Sequence, residues 1–301
     1  MDDDTLQDYR RMTGTLGADI RKSLSDEGCF LLGENGRCPH LLKNGLCRII
    51  CEAGEEALCD ICREHPRYYN YVGDVCEWGV GLSCESAARL ILAESEPLFY
   101  AQEESDEEAE ECDSALFSLL FAERESMLSF AMDKKYDLSS KLFILDTWAK
   151  ELQFFIDNAD VCKDRFAFSK DIKDKEAFFS LERFKKYKEL ILSLEPLADD
   201  WPMRVKRVSF PQTTNESGAL CSRLLAYFIF RYFLSSALEG DCTAGMGLAL
   251  FAVLWIYALC ESEGRCDLDA IAEAAKDFSK EVEYSEENRD AILEFFSAFA
   301  E

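Results

Sequence analysis

Cysteine is the residue type in this sequence whose number and spacing point most directly to chemistry. Fourteen cysteines occur in 301 residues, and eight of them lie between residues 29 and 84. Clustered thiolates bind zinc or an iron–sulfur cluster, whereas in an exported protein they form disulfides. The N-terminal residues MDDDTLQDYRRM show no basic segment followed by an apolar stretch, so no secretory signal is predicted. We therefore predict metal ligands rather than disulfides in this region.

The spacing of the cysteines selects four of the eight. Cys59 and Cys62 are separated by two residues, and this separation lets one turn or helix end direct both sulfurs at one metal. Two further cysteines precede the pair, each beside a turn-forming proline or glycine. The predicted metal ligands are Cys38, Cys47, Cys59 and Cys62, with Cys84 as a reserve ligand.

Spacing alone leaves the type of metal site open. Four thiolates suit either tetrahedral zinc or an iron–sulfur cluster. A zinc site with three cysteines and His65 is an alternative, and Cys51 competes with Cys47 because the two have helical spacing. His40 is predicted to lie at the surface. The sequence contains no CxxxCxxC loop of the kind that radical enzymes use.

The elements that must position these cysteines are short. Apolar residues recur at spacings of three and four over 5–24, which predicts an amphipathic helix. Glycines and a proline over 29–50 predict turns and a hairpin-like segment. A short helix is predicted over 52–63, because Pro66 disfavours helical backbone before it. One or two strands are predicted within 71–83, followed by a helix from Cys84.

The remainder of the chain is predicted to be helical. Residues 94–113 are densely acidic and predict a solvated loop, and 196–215 form a long connection. The isolated cysteines after residue 84 are predicted to be buried core thiols. Helices are predicted over 114–135, 139–158, 174–195, 216–238, 243–261, 267–281 and 286–300. The predicted fold class is therefore mainly α, a single domain over 1–301 with a cysteine-rich metal-binding knuckle over 29–86, containing short hairpin elements, and a helical region over 114–301.

Net charge and hydropathy exclude several partners. The chain carries a formal charge of −26 and has a pI near 4.5, which argues against nucleic-acid binding and against docking on anionic membranes. Residues 242–260 contain no charge and approach the length that spans a bilayer. Their flanks lack the Lys/Arg bias of membrane helices, so we predict a buried helix, no membrane insertion and a cytoplasmic protein.

The cysteine-containing segments resemble the flagellin lysine-N-methylase family. The shared patterns are CPxLxxxGLCxI at 38–49, GEExLCxxCRxxPR at 54–67 and SCxxAARLIL at 83–92, and LLAYFIFRYFLSSALEGD at 224–241 resembles the apolar helix of that family. The likeness runs from about residue 5 to at least residue 260. It begins after the position of a further cysteine cluster, CxxxCxxTCC, which this chain does not contain.

The resemblance implies an activity and two cofactors. It implies transfer of methyl groups from S-adenosylmethionine to lysine side chains of flagellin, and a protein-bound 4Fe-4S iron–sulfur cluster. No third glycine follows Gly79 and Gly81 in a GxGxxG pattern, so a Rossmann-type methyltransferase is not predicted. Candidate cofactor-binding residues are Arg67, Tyr68 and Arg89, since guanidinium groups bind carboxylates and aromatic rings face cations. No catalytic residue is assigned. The alternative function is a non-catalytic metal-binding or interaction protein with a structural zinc or iron–sulfur site.

Overall fold

A computed structural model describes residues 1–33, 36–72, 75–93, 114–161, 163–170, 180–211 and 218–299. The described chain is mainly helical with one small two-stranded sheet, as predicted. The predicted acidic loop over 94–113 lies outside the described residues. We expected a single domain, whereas the chain divides into two compact units, Met1–Tyr68 and Tyr69–Glu301. The boundary falls inside the predicted cysteine-rich region, so Cys76 and Cys84 belong to the second unit.

The first unit consists of short helices around a small core. Its helices are α1 (Asp3–Arg11), α2 (Gly14–Ser23), α3 (Arg48–Ala53) and α4 (Asp60–Glu64), with one 3-10 turn at Glu55–Ala57. Isolated bridges join Leu24 to Phe30 and Leu41 to Cys47, so the turns predicted in 29–50 are present. The buried apolar cluster contains Tyr9, Leu16, Ile20, Ile49 and Leu58.

Two helices predicted in this unit are interrupted. The prediction of a single helix over 5–24 is wrong. The helix is interrupted at Met12 and Thr13, and the chain continues through Gly14 at φ +81°. A Cβ on Gly17 would lie 2.1 Å from the Met12 carbonyl oxygen, so glycine allows the second helix to pack closely. The helix predicted over 52–63 is divided by Gly54, whose φ is +89°.

The sheet is a hairpin of β1 (Arg67–Val72) and β2 (Val75–Val80), close to the strands predicted within 71–83. In the second unit its inner side chains are fixed by two interactions. The Asn70 side-chain amide donates to the Arg231 carbonyl oxygen at 2.7 Å, and Glu77 pairs with Arg124 at 2.6 Å. Both partners of the Glu77 pair are buried, so the hairpin is firmly anchored.

Helices form the rest of the second unit. They are α5 (Glu85–Ala93), α6 (Ser114–Met132), α7 (Leu138–Asn158), α8 (Leu181–Ser193), α9 (Trp201–Arg207), α10 (Gly218–Phe228), α11 (Leu234–Leu238), α12 (Cys242–Ser262), α13 (Leu268–Phe278) and α14 (Glu286–Phe299). The helix α9 is a correction, because it occupies part of the predicted connection over 196–215. The prolines of this segment favoured the prediction of a connection. A helix forms because the Trp201 side chain is buried and because a proline directly after it is tolerated in the first turn.

The core of the second unit surrounds α12. All residues from Cys242 to Cys260 are buried, and α12 packs against α7, α13 and α14. By length and composition α12 is the one described helix that qualifies as a membrane span, but its apolar stretch is completely buried inside the structure. This burial agrees with the predicted central helix. Asp241 caps α12 by accepting hydrogen bonds from the backbone of Thr243 and Ala244 at 2.8 Å.

Two π-helical segments, Ile229–Phe233 and Ser279–Glu283, bring charged groups into this core. Arg231 pairs with the Glu283 carboxylate at 2.8 Å, and the hydroxyls of Tyr227 and Tyr232 also donate to that carboxylate. Burial is the main opposing influence on Arg231, yet the charge of Glu283 and the neighbouring tyrosines hold its pKa well above the usual value. The cation therefore stays charged inside the core.

Candidate metal centre

The four predicted metal ligands lie on turns and at helix starts of the first unit. Cys47 and Cys59 are the residues immediately before α3 and α4, and Cys62 lies inside α4. Cys38 begins a turn in which its carbonyl oxygen accepts a hydrogen bond from Leu41 at 3.1 Å. The predicted ligands therefore all lie on short turns or short helices of this unit.

Electrostatics link these four cysteines to one another. Burial, followed by a hydrogen bond with Cys59 and by negative charge on Cys59, Cys38 and Cys47, raises the pKa of the Cys62 thiol to about 12. Cys59 is buried and Cys47 is half-buried, whereas Cys38 and Cys62 keep exposed surface. Cys62 therefore shares one neighbourhood with the three other cysteines that spacing selects, close enough for their charges to affect its pKa.

Proximity of the thiols is not the same as an assembled site. Within the described residues, no three His, Cys, Asp or Glu side chains are gathered into a group that could hold a metal ion. The four cysteines match zinc or an iron–sulfur cluster in donor type and number. The metal site itself therefore stays a prediction. All cysteines of the described residues are free thiols.

Tyr9 belongs to this neighbourhood and was missed as a site residue. It is 1% exposed, and its hydroxyl donates to the Ala57 carbonyl oxygen at 2.7 Å. Burial raises the Tyr9 pKa, followed by the charges of Cys59, Cys62 and Cys47. Tyr9 lies on the apolar face of the predicted N-terminal helix, and this position indicates a buried side chain. The apolar pattern does not indicate which cysteines lie near Tyr9.

The two histidines have different environments. The prediction that His40 lies at the surface is wrong, because it is 3% exposed, its Nε2 lies 2.8 Å from the Ser23 hydroxyl and its ring packs edge-on against Phe30. Burial, followed by the charge of Arg48, lowers the His40 pKa. His65 ends α4, is exposed, and precedes a cis peptide bond to Pro66.

The predicted cofactor-binding residues are divided between the units. In the first, Arg67 donates to the Arg63 carbonyl oxygen at 2.8 Å and lies 3.8 Å from Glu64, while Tyr68 is half-buried. The reserve metal ligand Cys84 belongs to the second unit, where it is half-buried directly before α5.

Arg89, the remaining candidate, lies on α5. Its exposed side chain pairs with Glu85 at 2.8 Å and with Asp269 at 3.0 Å. These contacts are surface ion pairs, so a ligand at Arg89 would have to displace them.

Three of the described cysteines of the helical region are core thiols, and one is not fully buried. Cys221, Cys242 and Cys260 are buried as predicted, and Cys266 is half-buried. Cys112 and Cys162 lie outside the described residues. Burial raises the Cys260 pKa, followed by the charges of Cys266 and Cys221, so three of these thiols lie near one another. A raised pKa makes a thiol a poor nucleophile.

A groove of about 710 Å³ in the second unit contains none of the predicted site residues. It lies along α7 and residues 165–167, with Lys150, Phe154 and Arg165 in its lining. The groove is open to solvent and is lined by both apolar and charged side chains. The cysteine-rich region therefore remains the candidate site.

Comparison with known proteins adds no assignment. No family model, no curated protein and no solved structure matches this chain. The likeness to the flagellin lysine-N-methylase family therefore rests on the motifs alone and stays a prediction.

Proposed function

We propose that this protein transfers methyl groups from S-adenosylmethionine to lysine side chains of flagellin or a related protein, and that Cys38, Cys47, Cys59 and Cys62 bind a 4Fe-4S cluster. The observation that carries the proposal is that Cys38, Cys47 and Cys59 lie close enough to Cys62 to affect its pKa. These four are the cysteines of two of the patterns that resemble the methylase family, and spacing selects the same four.

The small core of the first unit also supports a bound metal. Five apolar side chains form its buried cluster in a unit of 68 residues. Units below about 70–80 residues rarely reach sufficient stability from a single core and use disulfides or metals as well. Because the described cysteines are free, a metal is the remaining way to cross-link these short segments. When bound, the cluster supplies this cross-link together with electron-transfer capacity.

The proposed reaction is a displacement at a sulfonium carbon. The lysine nitrogen forms a bond to the methyl carbon while the carbon–sulfur bond breaks, which yields methyl-lysine and S-adenosylhomocysteine. The lysine ammonium must first lose a proton, because only the neutral amine has a free electron pair. The protein must therefore align the two groups, exclude water and accept that proton. Arg67, Tyr68 and Arg89 are proposed to contact the methyl donor.

The proposal is tested with anaerobically purified full-length protein, S-adenosylmethionine and purified flagellin. Mass spectrometry of flagellin peptides is expected to show methylated lysines that depend on the methyl donor. Cys62→Ser is expected to abolish methylation, and Cys29→Ser is the matched control because Cys29 is an exposed cysteine of the same unit. Unmodified lysines with fully metal-loaded wild-type protein would contradict the methylase proposal.

A non-catalytic metal-binding or interaction protein is the second candidate. The observation that favours it is the exposed apolar surface of the first unit, where Leu32, Leu46 and Ile61 are 64%, 55% and 72% exposed. Exposed apolar side chains in such number are typical of interaction surfaces. In that case the metal stabilises the first unit, and metal-loaded protein leaves flagellin unmodified.

A further inference from the structure

The hairpin, which belongs to the second unit from Tyr69 onward, presents aromatic side chains to solvent. Tyr69, Tyr71 and Trp78 are 42%, 67% and 62% exposed. Alternate residues of a strand point to the same side of a sheet, so Tyr69 and Tyr71 share one side of β1, and the exposed positions of β2 are Cys76, Trp78 and Val80. We call Tyr69, Tyr71 and Trp78 the aromatic face.

The orientation of this face is fixed by the opposite side of the hairpin. Asn70 is held by the Arg231 carbonyl oxygen, and Glu77 is held by the buried guanidinium of Arg124. A shift of β2 by one residue would expose Glu77 and bury Trp78, which would leave Arg124 without its counter-charge. The rings are therefore held outward by a buried ion pair and a hydrogen bond on the opposite side of the hairpin.

Exposure of Trp78 contrasts with every other tryptophan in the chain. Trp148, Trp201 and Trp255 are 3%, 4% and 0% exposed. Several large aromatic side chains exposed together are typical of binding surfaces, because rings supply contact area at low cost in conformational entropy. The hairpin is the sole sheet of the described residues, and each strand has one unpaired edge, which is where an extended peptide adds to a sheet.

Charge indicates the chemistry of the occupant. Residues 69–301 contain 46 acidic and 24 basic residues, so this unit carries −22 of the net charge of −26. A cationic segment is attracted to such a protein, and the negative faces of aromatic rings attract ammonium groups directly. We infer that the aromatic face binds an extended, lysine-bearing segment of a partner protein. The inference deepens the proposed function, on which it rests, by naming the surface that receives the lysine-bearing substrate.

Binding is tested with full-length protein and three synthetic peptides of equal length. One is lysine-rich, the second is the same peptide with every lysine acetylated, and the third has glutamate in place of lysine. Calorimetry is expected to detect only the lysine-rich peptide, and that peptide is expected to change the tryptophan fluorescence in a saturable way. Equal binding of the acetylated peptide would overturn the inference.

Substitutions locate the binding surface. Trp78→Leu and Tyr71→Leu keep an apolar side chain but remove the ring, and each is expected to weaken peptide binding by about 2–5-fold, the worth of one exposed cation–π contact. Phe154→Leu is the matched control, because Phe154 is an aromatic residue that is 70% exposed and lies on α7, not on the hairpin. Circular dichroism checks that each variant is folded. Wild-type affinity in the Trp78→Leu, Tyr71→Leu double variant would overturn the inference.

The outcome separates this inference from the proposed function. Peptide binding requires neither metal nor methyl donor, so a protein that binds lysine peptides through Trp78 but methylates nothing supports the aromatic face and contradicts the methylase. A protein that methylates flagellin with an unchanged KM in the double variant supports the methylase and overturns the aromatic face.

Discussion

At the scale of single residues, Arg124 shows how this protein stabilises a buried charge. Its side chain is fully buried, its Nη1 lies 2.6 Å from Glu77, and its guanidinium lies 4.9 Å from the Phe121 ring and 5.0 Å from the Phe230 ring. Its Nε atom has no hydrogen-bond partner among the described residues. Glu77 is therefore the main neutralising group, and its loss leaves a desolvated cation.

We predict that Glu77→Gln lowers the free energy of unfolding by about 3–5 kcal/mol, the usual cost of breaking a buried ion pair from one side. Glu85→Gln is the matched control, because Glu85 forms an exposed pair with Arg89 and such pairs contribute about 0–1 kcal/mol. Chemical denaturation of both variants measures the difference. Equal stability of the two variants would contradict the role assigned to Glu77.

Lys141 is a buried cation of another kind. It is 3% exposed, and its Nζ donates to the Ser222 hydroxyl at 2.6 Å. Burial lowers its pKa below 10.5, against weaker opposing effects of Asp133, Cys221 and Asp137. The unfolded chain therefore binds a proton more readily than the folded one, so stability rises with pH between the folded-state pKa and about 10.5.

We predict that Lys141→Met is more stable than the wild type at about pH 7, by about 1.4 kcal/mol for each unit by which burial lowers the pKa, less the lost Ser222 hydrogen bond. This advantage is expected to shrink as the pH rises from the folded-state pKa toward about 10.5, and to vanish well above 10.5, where the wild-type lysine is neutral in both states. Denaturation at several pH values measures the trend. An advantage that grows with pH would contradict the assigned sign.

At the scale of elements, glycines let the central helix α12 approach its neighbours. A Cβ on Gly247 would lie 2.4 Å from the Phe296 ring of α14, and a Cβ on Gly245 would lie 2.7 Å from the Tyr232 carbonyl oxygen. Both distances are shorter than van der Waals contact allows. The elements can therefore pack this closely only because glycine has no side chain at these two positions.

We predict that Gly247→Ala destabilises the protein by about 1–3 kcal/mol through overpacking. Gly218→Ala at the start of α10 is the control, because no atom of the described residues lies within 4 Å of its added Cβ. That substitution is expected to be neutral or to stabilise by up to about 1 kcal/mol. Thermal denaturation compares the two. A Gly247→Ala variant as stable as Gly218→Ala would show that α14 moves aside without cost.

Elements with a strong apolar pattern were predictable, and elements fixed by tertiary contacts were not. The helices over 139–158 and 286–300 agree with α7 and α14 to within a residue, because their apolar faces are long and regular. The apolar pattern over 5–24 is equally regular. It did not reveal that the helix is interrupted before Gly17, which packs closely against the Met12 carbonyl. Spacing selected four cysteines that share one neighbourhood, whereas burial of Tyr9 and His40 depends on residues distant in sequence.

At the scale of the whole molecule, the two units differ in size of core and in charge. The first unit has a small apolar cluster, and the second is built around a completely buried helix. Stability is therefore distributed unevenly, since local unfolding begins where few apolar contacts are buried. The acidic second unit carries most of the net charge, which favours cationic partners.

We predict that metal removal loosens the first unit selectively. Hydrogen exchange followed by mass spectrometry on the full chain is expected to show faster exchange in 1–68 after chelation, with unchanged protection of α12. Equal acceleration in both units, or none in the first, would contradict a metal that stabilises the first unit alone.

The most direct test of the account is the metal content of the anaerobically purified protein, measured by elemental analysis together with the visible spectrum. We predict brown wild-type protein with four iron atoms per cluster, loss of iron in Cys38→Ser, Cys47→Ser, Cys59→Ser and Cys62→Ser, and full retention in Cys29→Ser. Wild-type protein without metal, or iron retained in all four ligand variants, would contradict it.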